Sequence, residues 1–402
     1  MFEHVAPYAG DPILSLLEIF HTDSRTHKAN LSIGLYYDQD GRIPVLDSVH
    51  EAATRLQLHE APHTYLPMEG MASYREAVQK LVFGANSEVL RHKRVATIQS
   101  VGGSGAIRVA AEFLKTVFPD SAVWVSDPTW DNHRALFAGA GFTVNTYPYY
   151  DAQTNGLKFD EMIAVFQSLP ANSVVLIQPC CHNPTGVDLS QDQWREVIRV
   201  VEQRQLIPFM DMAYQGFGDG LQEDAWAIRA MADAGLVFVV SNSFSKNFSL
   251  YGERVGGLSF VCPNETEAAL VLGQLKATVR RIYSNPPLHG AQLVSTVLGD
   301  ERLTRMWEGE VAQMRERIKS MRLRLKEVLQ ARLPEVSAEY CVTQRGMFSY
   351  TGITADEVDL LREKYAVYLV RSGRICVAGL NEANIDHVAQ SMSEVLRLRG
   401  GR

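Results

Sequence analysis

A chain of 402 residues, 46% hydrophobic and 21% charged, is long enough for two or three domains with a large core and falls outside the disordered and membrane classes. A net charge of −7 with no basic block argues against nucleic acid or anionic lipid as a partner. Five cysteines without a C-x-x-C pair, no zinc spacing among eleven histidines, and a start (MFEHVAPYAGDP) without basic and apolar signal regions predict a cytoplasmic protein with reduced thiols and no metal.

In chain order, residues 1–30 read as an extended arm with Pro7, Tyr8 and Pro12, then an amphipathic helix over 13–20. Exposed apolar residues on such an arm suit docking on a partner subunit. A short strand is expected over 31–35, a tight loop at Asp40-Gly41 and a helix over 45–58. The loop HTYLPMEG carries Tyr65, and a helix then begins near Ser73, where Ser73 and Glu76 have capping-box spacing.

From 95 to 261 short apolar runs alternate with helical periods, the pattern of a mainly parallel α/β sheet. Seven strands are expected, at 95–98, 123–126, 142–147, 173–178, 206–210, 236–240 and 257–262. A long helix over 300–333 repeats Leu303, Trp307, Val311, Met314, Ile318, Met321 and Leu325 every three or four residues. After Pro334 a small α+β unit follows. Its expected elements are a strand over 337–343, a turn over 344–348, a helix from Ala355, strands at 368–370 and 374–378, and a last helix over 384–396.

Ligands of open parallel sheets bind beyond the carboxyl ends of the strands, and the polar oddities of this chain lie there. Lys246 leaves the apolar run 236–240 through a turn rich in hydroxyls (Ser241, Ser243, Ser245), with Arg254 and Gly256-Gly257 following. Burial lowers an amine's pKa, and the neutral amine is a nucleophile towards carbonyls. The hydroxyls and Arg254 suit an anion on the same electrophile, and an aldehyde with a phosphate describes pyridoxal phosphate. A lysine in a solvated loop is the plainer alternative. Gly102-Gly103-Ser104-Gly105 opens a helix whose N–H groups favour phosphate, though a simple tight turn has the same letters. It lacks the G-x-G-x-x-G spacing of a dinucleotide site.

Asp211 ends an apolar strand, where a carboxylate wants a cation such as a protonated pyridine nitrogen; an N-cap is the competing role. Tyr214 and Asn183 could reach the phenolic oxygen of the same ring, Trp130 could stack on it, and His133 reads as a hydrogen-bonding neighbour. Arg374 lies between a turn and a strand, placed to receive a carboxylate. In VRRIYSNPP, Arg280 and Arg281 fit the spacing equally. Cys180-Cys181 are adjacent and make no metal pair without further spaced ligands.

The combination SNSFSKNFSLYGERVGG, CCHNPTGVDL, DMAYQGF, VSDPTWDNH, GGSGAIRVAA, VRRIYSNPP and SGRICVAGLN resembles the class I aminotransferases of the aspartate/aromatic branch, over nearly the whole chain. NLSIGLYYDQDG, YLPMEG and QRGMFSYTG are more similar to the bacterial aromatic-amino-acid (tyrosine) enzymes than to the aspartate enzymes. The resemblance implies a fold-type-I architecture, a mostly parallel seven-stranded sheet between helices plus a small α+β domain. Residues 45–312 would form the large cofactor domain, and 1–44 with 313–402 the arm and small domain. It implies pyridoxal 5'-phosphate, amino acids and 2-oxo acids as substrates, and a homodimer with shared active sites.

By the same resemblance Lys246 bonds covalently to the cofactor, Asp211 pairs with the pyridine nitrogen, and Tyr214 and Asn183 meet its ring oxygen. Trp130 stacks on the ring; Gly103, Ser104, Ser243, Ser245 and Arg254, with Tyr65 of the neighbouring subunit, hold the phosphate. Gly34, Trp130, Asn183 and Arg374 line the substrate, Arg374 taking its α-carboxylate and Arg280 of the neighbour a distal carboxylate. Asn183-Pro184 is expected to be cis. The activity implied is transfer of the amino group of tyrosine, phenylalanine or aspartate to 2-oxoglutarate. An aspartate-preferring aminotransferase, a lyase on the same scaffold and a non-catalytic cofactor-binding regulator are the alternatives.

Overall fold

The computed structural model describes residues 1–8, 10–57, 62 and 64–398, and it divides into two compact units, Pro44–Glu316 and Met1–Ile43 with Arg317–Arg402. The first is built on seven strands: β1 (Val95–Val101), β2 (Val123–Asp127), β3 (Val144–Pro148), β4 (Val174–Ile177), β5 (Ile207–Met212), β6 (Phe238–Ser243) and β7 (Val255–Val261). They lie in the order β1-β7-β6-β5-β4-β2-β3. All neighbours are parallel except at β7, which runs antiparallel to both β1 and β6. The mostly parallel α/β sheet read from the sequence is the sheet found.

Strands β4, β6 and β7 are buried along their whole length. That is why β4, β7 and the first half of β6 read as unbroken apolar or small-residue runs rather than as alternating patterns, while the second half of β6 buries Ser241, Asn242 and Ser243. Pro208 stands inside β5, a central strand, where a missing N–H would normally break a ladder. It is tolerated because pairing with β6 starts only at Phe209, opposite Val239, while Ile207 N–H donates to Ser173 O on the β4 side. The helix Gly102–Val117 lays Ala106, Ile107, Ala110, Phe113 and Leu114 on the sheet, in a core shared with Ile98, Val125, Phe209 and Leu258. The helix Glu301–Arg332 buries Leu303, Trp307, Val311 and Met314 in this unit, and Trp307 Nε1 donates to Asn247 O at 2.7 Å.

In the second unit, Ala29–Asn30 pairs in parallel with Val367–Tyr368, and Phe348–Tyr350 pairs antiparallel with Arg374–Cys376. Helices Pro12–Thr22, Ala355–Tyr365 and Ile385–Arg397 complete it, with Leu16, Ala366 and Tyr368 in a small cluster. Among the described residues no helix is long and apolar enough to cross a membrane.

Three local expectations are corrected. The strand expected over 337–343 is instead the helix Tyr340–Thr343, and the one expected over 31–35 is irregular backbone just beyond Ala29–Asn30. Short apolar runs do not distinguish strand from helix. Ser73 caps nothing: the helix is Ala72–Phe83 with Met71 at its N-cap position, so Ser73 lies inside the first turn and accepts from the Ser295 hydroxyl at 2.8 Å. Leu58, the expected end of the helix found as Asp47–Gln57, and His63 lie outside the described residues.

Candidate active site

Strands β5 and β6 run side by side with Asp211 opposite Ser241, so both side chains leave the same face near the carboxyl end of the sheet. Asp211 is buried, and each of its oxygens holds a partner. Ser241 Oγ donates to Oδ1 at 2.6 Å, and His133 Nε2 lies 3.0 Å from Oδ2. A carboxylate only accepts, so His133 Nε2 carries the proton and Nδ1 faces the Thr129 hydroxyl at 2.7 Å. Ser241 therefore serves the carboxylate and not the anion-binding turn in which the sequence placed it. Its partner could not be read from the chain, because the pairing is set by strand register.

Ser243, two residues on, and the loop to β7 form a second cluster. Ser243 Oγ donates to Ser245 Oγ at 3.1 Å, and Arg254 Nη1 donates to Ser245 Oγ at 3.3 Å. The glycine-led helix starts beside them. A Cβ on Gly102 would lie 2.5 Å from Arg254 Nη2, one on Gly256 2.6 Å from the Gly102 backbone, and one on Gly103 3.5 Å from Ser243 Cβ. Gly102 also has a φ of 64°, where L side chains are strained. Close approach of the Gly102 and Gly256 backbones, with Arg254 and Ser243 packed beside them, thus leaves N–H groups of a helix start, two hydroxyls and a guanidinium together, the donor set of a phosphate receptor. Ser104 stands half-buried in the first turn of that helix.

Lys246 is half-buried in the turn after β6, its Nζ 5.1 Å from the centre of the Tyr214 ring. Tyr214 follows β5 and is buried; its hydroxyl accepts from Asn183 Nδ2 at 3.5 Å, and the Asn183-Pro184 bond is cis. Half-buried Trp130, which precedes helix Asp131–Gly139, packs its ring edge-on to His133 at 5.2 Å between centroids. His182, which the sequence reading passed over, stacks on Tyr149 at 4.1 Å and bonds Ser126 and Thr185 through its two nitrogens. Burial, helped by the nearby His133, pushes its pKa down to about 3, so it is neutral at physiological pH.

In the other unit Arg374 is buried on its strand, Nη2 donating to Ser32 O at 2.5 Å, with the guanidinium 4.5 Å from the centre of the Phe348 ring. Gly34 packs against the same ring, since a Cβ there would come 2.8 Å from Phe348 Cζ. Arg280 and Arg281 are both exposed near the end of helix Glu265–Ile282. Arg280 Nη1 donates to Ser284 Oγ at 2.5 Å and Arg281 Nη2 to Thr278 Oγ1 at 3.4 Å. Tyr65 is 92% exposed and joins none of these groups.

Residues 26–392 match the family model of aminotransferase class I and II. The aromatic-amino-acid aminotransferase of Escherichia coli (strain K12) is 59% identical over 399 residues, 98% of this chain and 100% of the relative. An aspartate aminotransferase of Pseudomonas aeruginosa is 49% identical, again covering 98% of this chain and 100% of the relative. Among solved structures, an aromatic-amino-acid aminotransferase from Burkholderia pseudomallei covalently bound to pyridoxal phosphate is 48% identical with a TM-score of 0.97, covering 98% of this chain and 99% of that one. An amine, a buried carboxylate and an anion cradle at the end of one sheet, in a chain matched along almost its whole length, leave one assignment: the chain belongs to the class I and II aminotransferases.

Proposed function

We propose that this protein is an aromatic-amino-acid aminotransferase, moving the amino group of tyrosine or phenylalanine, and of aspartate, to 2-oxoglutarate with pyridoxal 5'-phosphate as cofactor. The observation that carries this reading is the grouping of Lys246, Asp211 and the Arg254 cradle in one unit, at the carboxyl end of one sheet. The residues fit the cofactor. The cradle at Gly102 and Gly256 has no room for a side chain, and it presents helix-start N–H groups, the Ser243 and Ser245 hydroxyls and the Arg254 guanidinium, all able to donate to a phosphate dianion. Asp211 uses two of roughly four acceptor positions, which leaves room for a cationic N–H.

When bound, pyridoxal phosphate supplies an aldehyde that captures amines and a pyridinium ring that takes up the electron pair left at a substrate carbon. The chain supplies the rest. Ser243, Ser245, Arg254, Gly103 and Ser104 hold the phosphate, with Tyr65 added from a neighbouring subunit. Asp211, held by Ser241 and His133, keeps the ring nitrogen protonated. Tyr214 and Asn183 orient the ring through its oxygen, and Trp130 covers one face. Lys246 would hold the cofactor's aldehyde and, with an amino substrate in its place, its Nζ would accept the proton from the substrate's α-carbon and later give it up again, proximity making one amine sufficient for both duties. Arg374 is the anchor for the α-carboxylate, beside Gly34, and Arg280 of the neighbour meets a distal carboxylate.

A homodimer is part of the reading: Phe2, Val5 and Tyr8 of the arm and Tyr65 are large, apolar or aromatic, and exposed. So is a division into a cofactor domain over 45–312 and a small domain from the two ends. Five free, buried cysteines suit a cytoplasmic setting. A panel of aromatic, dicarboxylic and branched amino acids against 2-oxoglutarate, compared by kcat/KM, tests the proposal. Aromatic substrates should lead; a ranking led by aspartate, with aromatics more than tenfold behind, would favour the aspartate-preferring alternative.

A further inference from the structure

We propose that Cys180, Cys181 and Asp224 form a binding site for a soft divalent cation, and that filling it slows the enzyme. Cys180 and Cys181 follow β4 and head the loop that carries His182 and Asn183. Successive side chains of an extended strand point to opposite faces. Cys181 has a φ of 52°, and this left-handed turn breaks the alternation. Both thiols meet the Asp224 carboxylate, and the three ligand atoms lie within 4.8 Å of one another in the interior. The spaced third ligand that the two cysteines lack in sequence is thus delivered by the fold.

Asp224 is a buried carboxylate without a cation. It accepts from the N–H groups of Gly216, Gly218 and Asp219 at 2.8, 2.9 and 2.9 Å. Among the described residues no lysine, arginine or histidine comes within ion-pair distance of it. Three of its roughly four acceptor positions are used, so one remains. Two sulfurs and an oxygen form the donor set of a soft or borderline metal. Metal–sulfur bonds of about 2.3 Å hold tetrahedral ligands about 3.7 Å apart, so the three groups need to close by about an ångström at most. On binding, each thiol gives up its proton and forms a metal–sulfur bond; no electrons are transferred, and water fills the fourth position.

The consequence for turnover follows from what the ligands touch. Cys181 Sγ lies 3.9 Å from Tyr214 O, and the Tyr214 hydroxyl is the partner of Asn183. Asp224 braces the backbone from Gly216 to Asp219 just beyond Tyr214. Drawing the three ligands together moves both loops. This consequence rests on the proposed roles of Tyr214 and Asn183, whereas cation binding itself does not. Because all three residues are buried, uptake should be slow.

The test uses holoenzyme and Cd²⁺ alone. Wild type should bind one equivalent, develop the ultraviolet sulfur-to-cadmium charge-transfer band, and lose activity over minutes, all reversed by EDTA. Cys180→Ala and Cys181→Ala should each weaken binding more than tenfold, and Asp224→Asn should weaken it less. If an alanine variant does not fold, the serine variant takes its place. An equal band and equal stoichiometry in the double cysteine variant would assign the metal to Cys262, Cys341 or Cys376 and overturn the site. Tight binding at Cys180 and Cys181 with undiminished turnover would keep the site and overturn its coupling to Tyr214.

Discussion

At Asp211 the charge is 7% exposed and both carboxylate oxygens already hold partners, whereas Arg280 stands exposed near the end of helix Glu265–Ile282 and donates to the Ser284 hydroxyl. Arg374 resembles the first case: it is 5% exposed, bonded to a backbone carbonyl and packed on Phe348. Moving Arg280 aside gives up one exposed hydrogen bond, about 1 kcal/mol. Moving Asp211 would strand a buried charge, at about 3–5 kcal/mol. The lesson is that the groups read as meeting invariant parts of the reaction, the ring nitrogen and the α-carboxylate, are fixed. The group read as meeting the variable end of the substrate is exposed and held by one hydroxyl, which suits the proposal that it swings. One enzyme can then take a ring or a carboxylate at that end.

The comparison can be broken at several points. Asp211→Ala should cost the most, about 10²–10⁴-fold in kcat for every substrate, since a pyridinium would lose its partner. A loss below tenfold would mean that the ring nitrogen is served elsewhere. Arg374→Ala should reduce kcat/KM by about 10²-fold or more for aromatic and dicarboxylic substrates alike; unchanged aromatic kinetics would remove it from the site. Arg280→Ala should lower kcat/KM about tenfold or more for aspartate and glutamate but less than about threefold for phenylalanine. Equal losses on both would contradict the swinging role, and the same pattern in Arg281→Ala instead would transfer it to the neighbour.

The smallest effect is on stability and concerns a fixed group. An unfolded histidine titrates near 6.5, while burial holds His182 down to about 3 in the fold. Its contribution is therefore intact above pH 6.5 and is lost as the pH falls below that value, by about 2 kcal/mol at pH 5. The thermal midpoint should drop more steeply between pH 7 and pH 5 in wild type than in His182→Gln. Parallel slopes would mean that His182 is not held neutral.

Much of this was legible in the chain because each polar candidate follows an apolar run. Val174–Ile177 leads to Asn183, Ile207–Met212 carries Asp211 and leads to Tyr214, and Phe238–Ser243 leads to Lys246. A buried strand and its polar exit are both local signals. What depended on contacts between distant segments was not legible. Ser241 faces Asp211 through register, and Asp224 meets Cys180 and Cys181 only through the fold. The antiparallel sense of β7 left no mark either, since an apolar run reads the same in both directions. Capping signals were ambiguous for a related reason. Ser190 and Gln193 do form the reciprocal box at helix Gln191–Arg204, while Ser73 and Glu76, with the same spacing, sit inside a helix already begun.

The central claim is that the Lys246 amine carries the cofactor. Borohydride reduction of the holoenzyme, followed by proteolysis and mass spectrometry, reads it without any substitution. The account predicts the phosphopyridoxyl mass on the peptide containing Lys246 and on no other lysine. The label on Lys276 or any other lysine, with Lys246 unmodified, would contradict it.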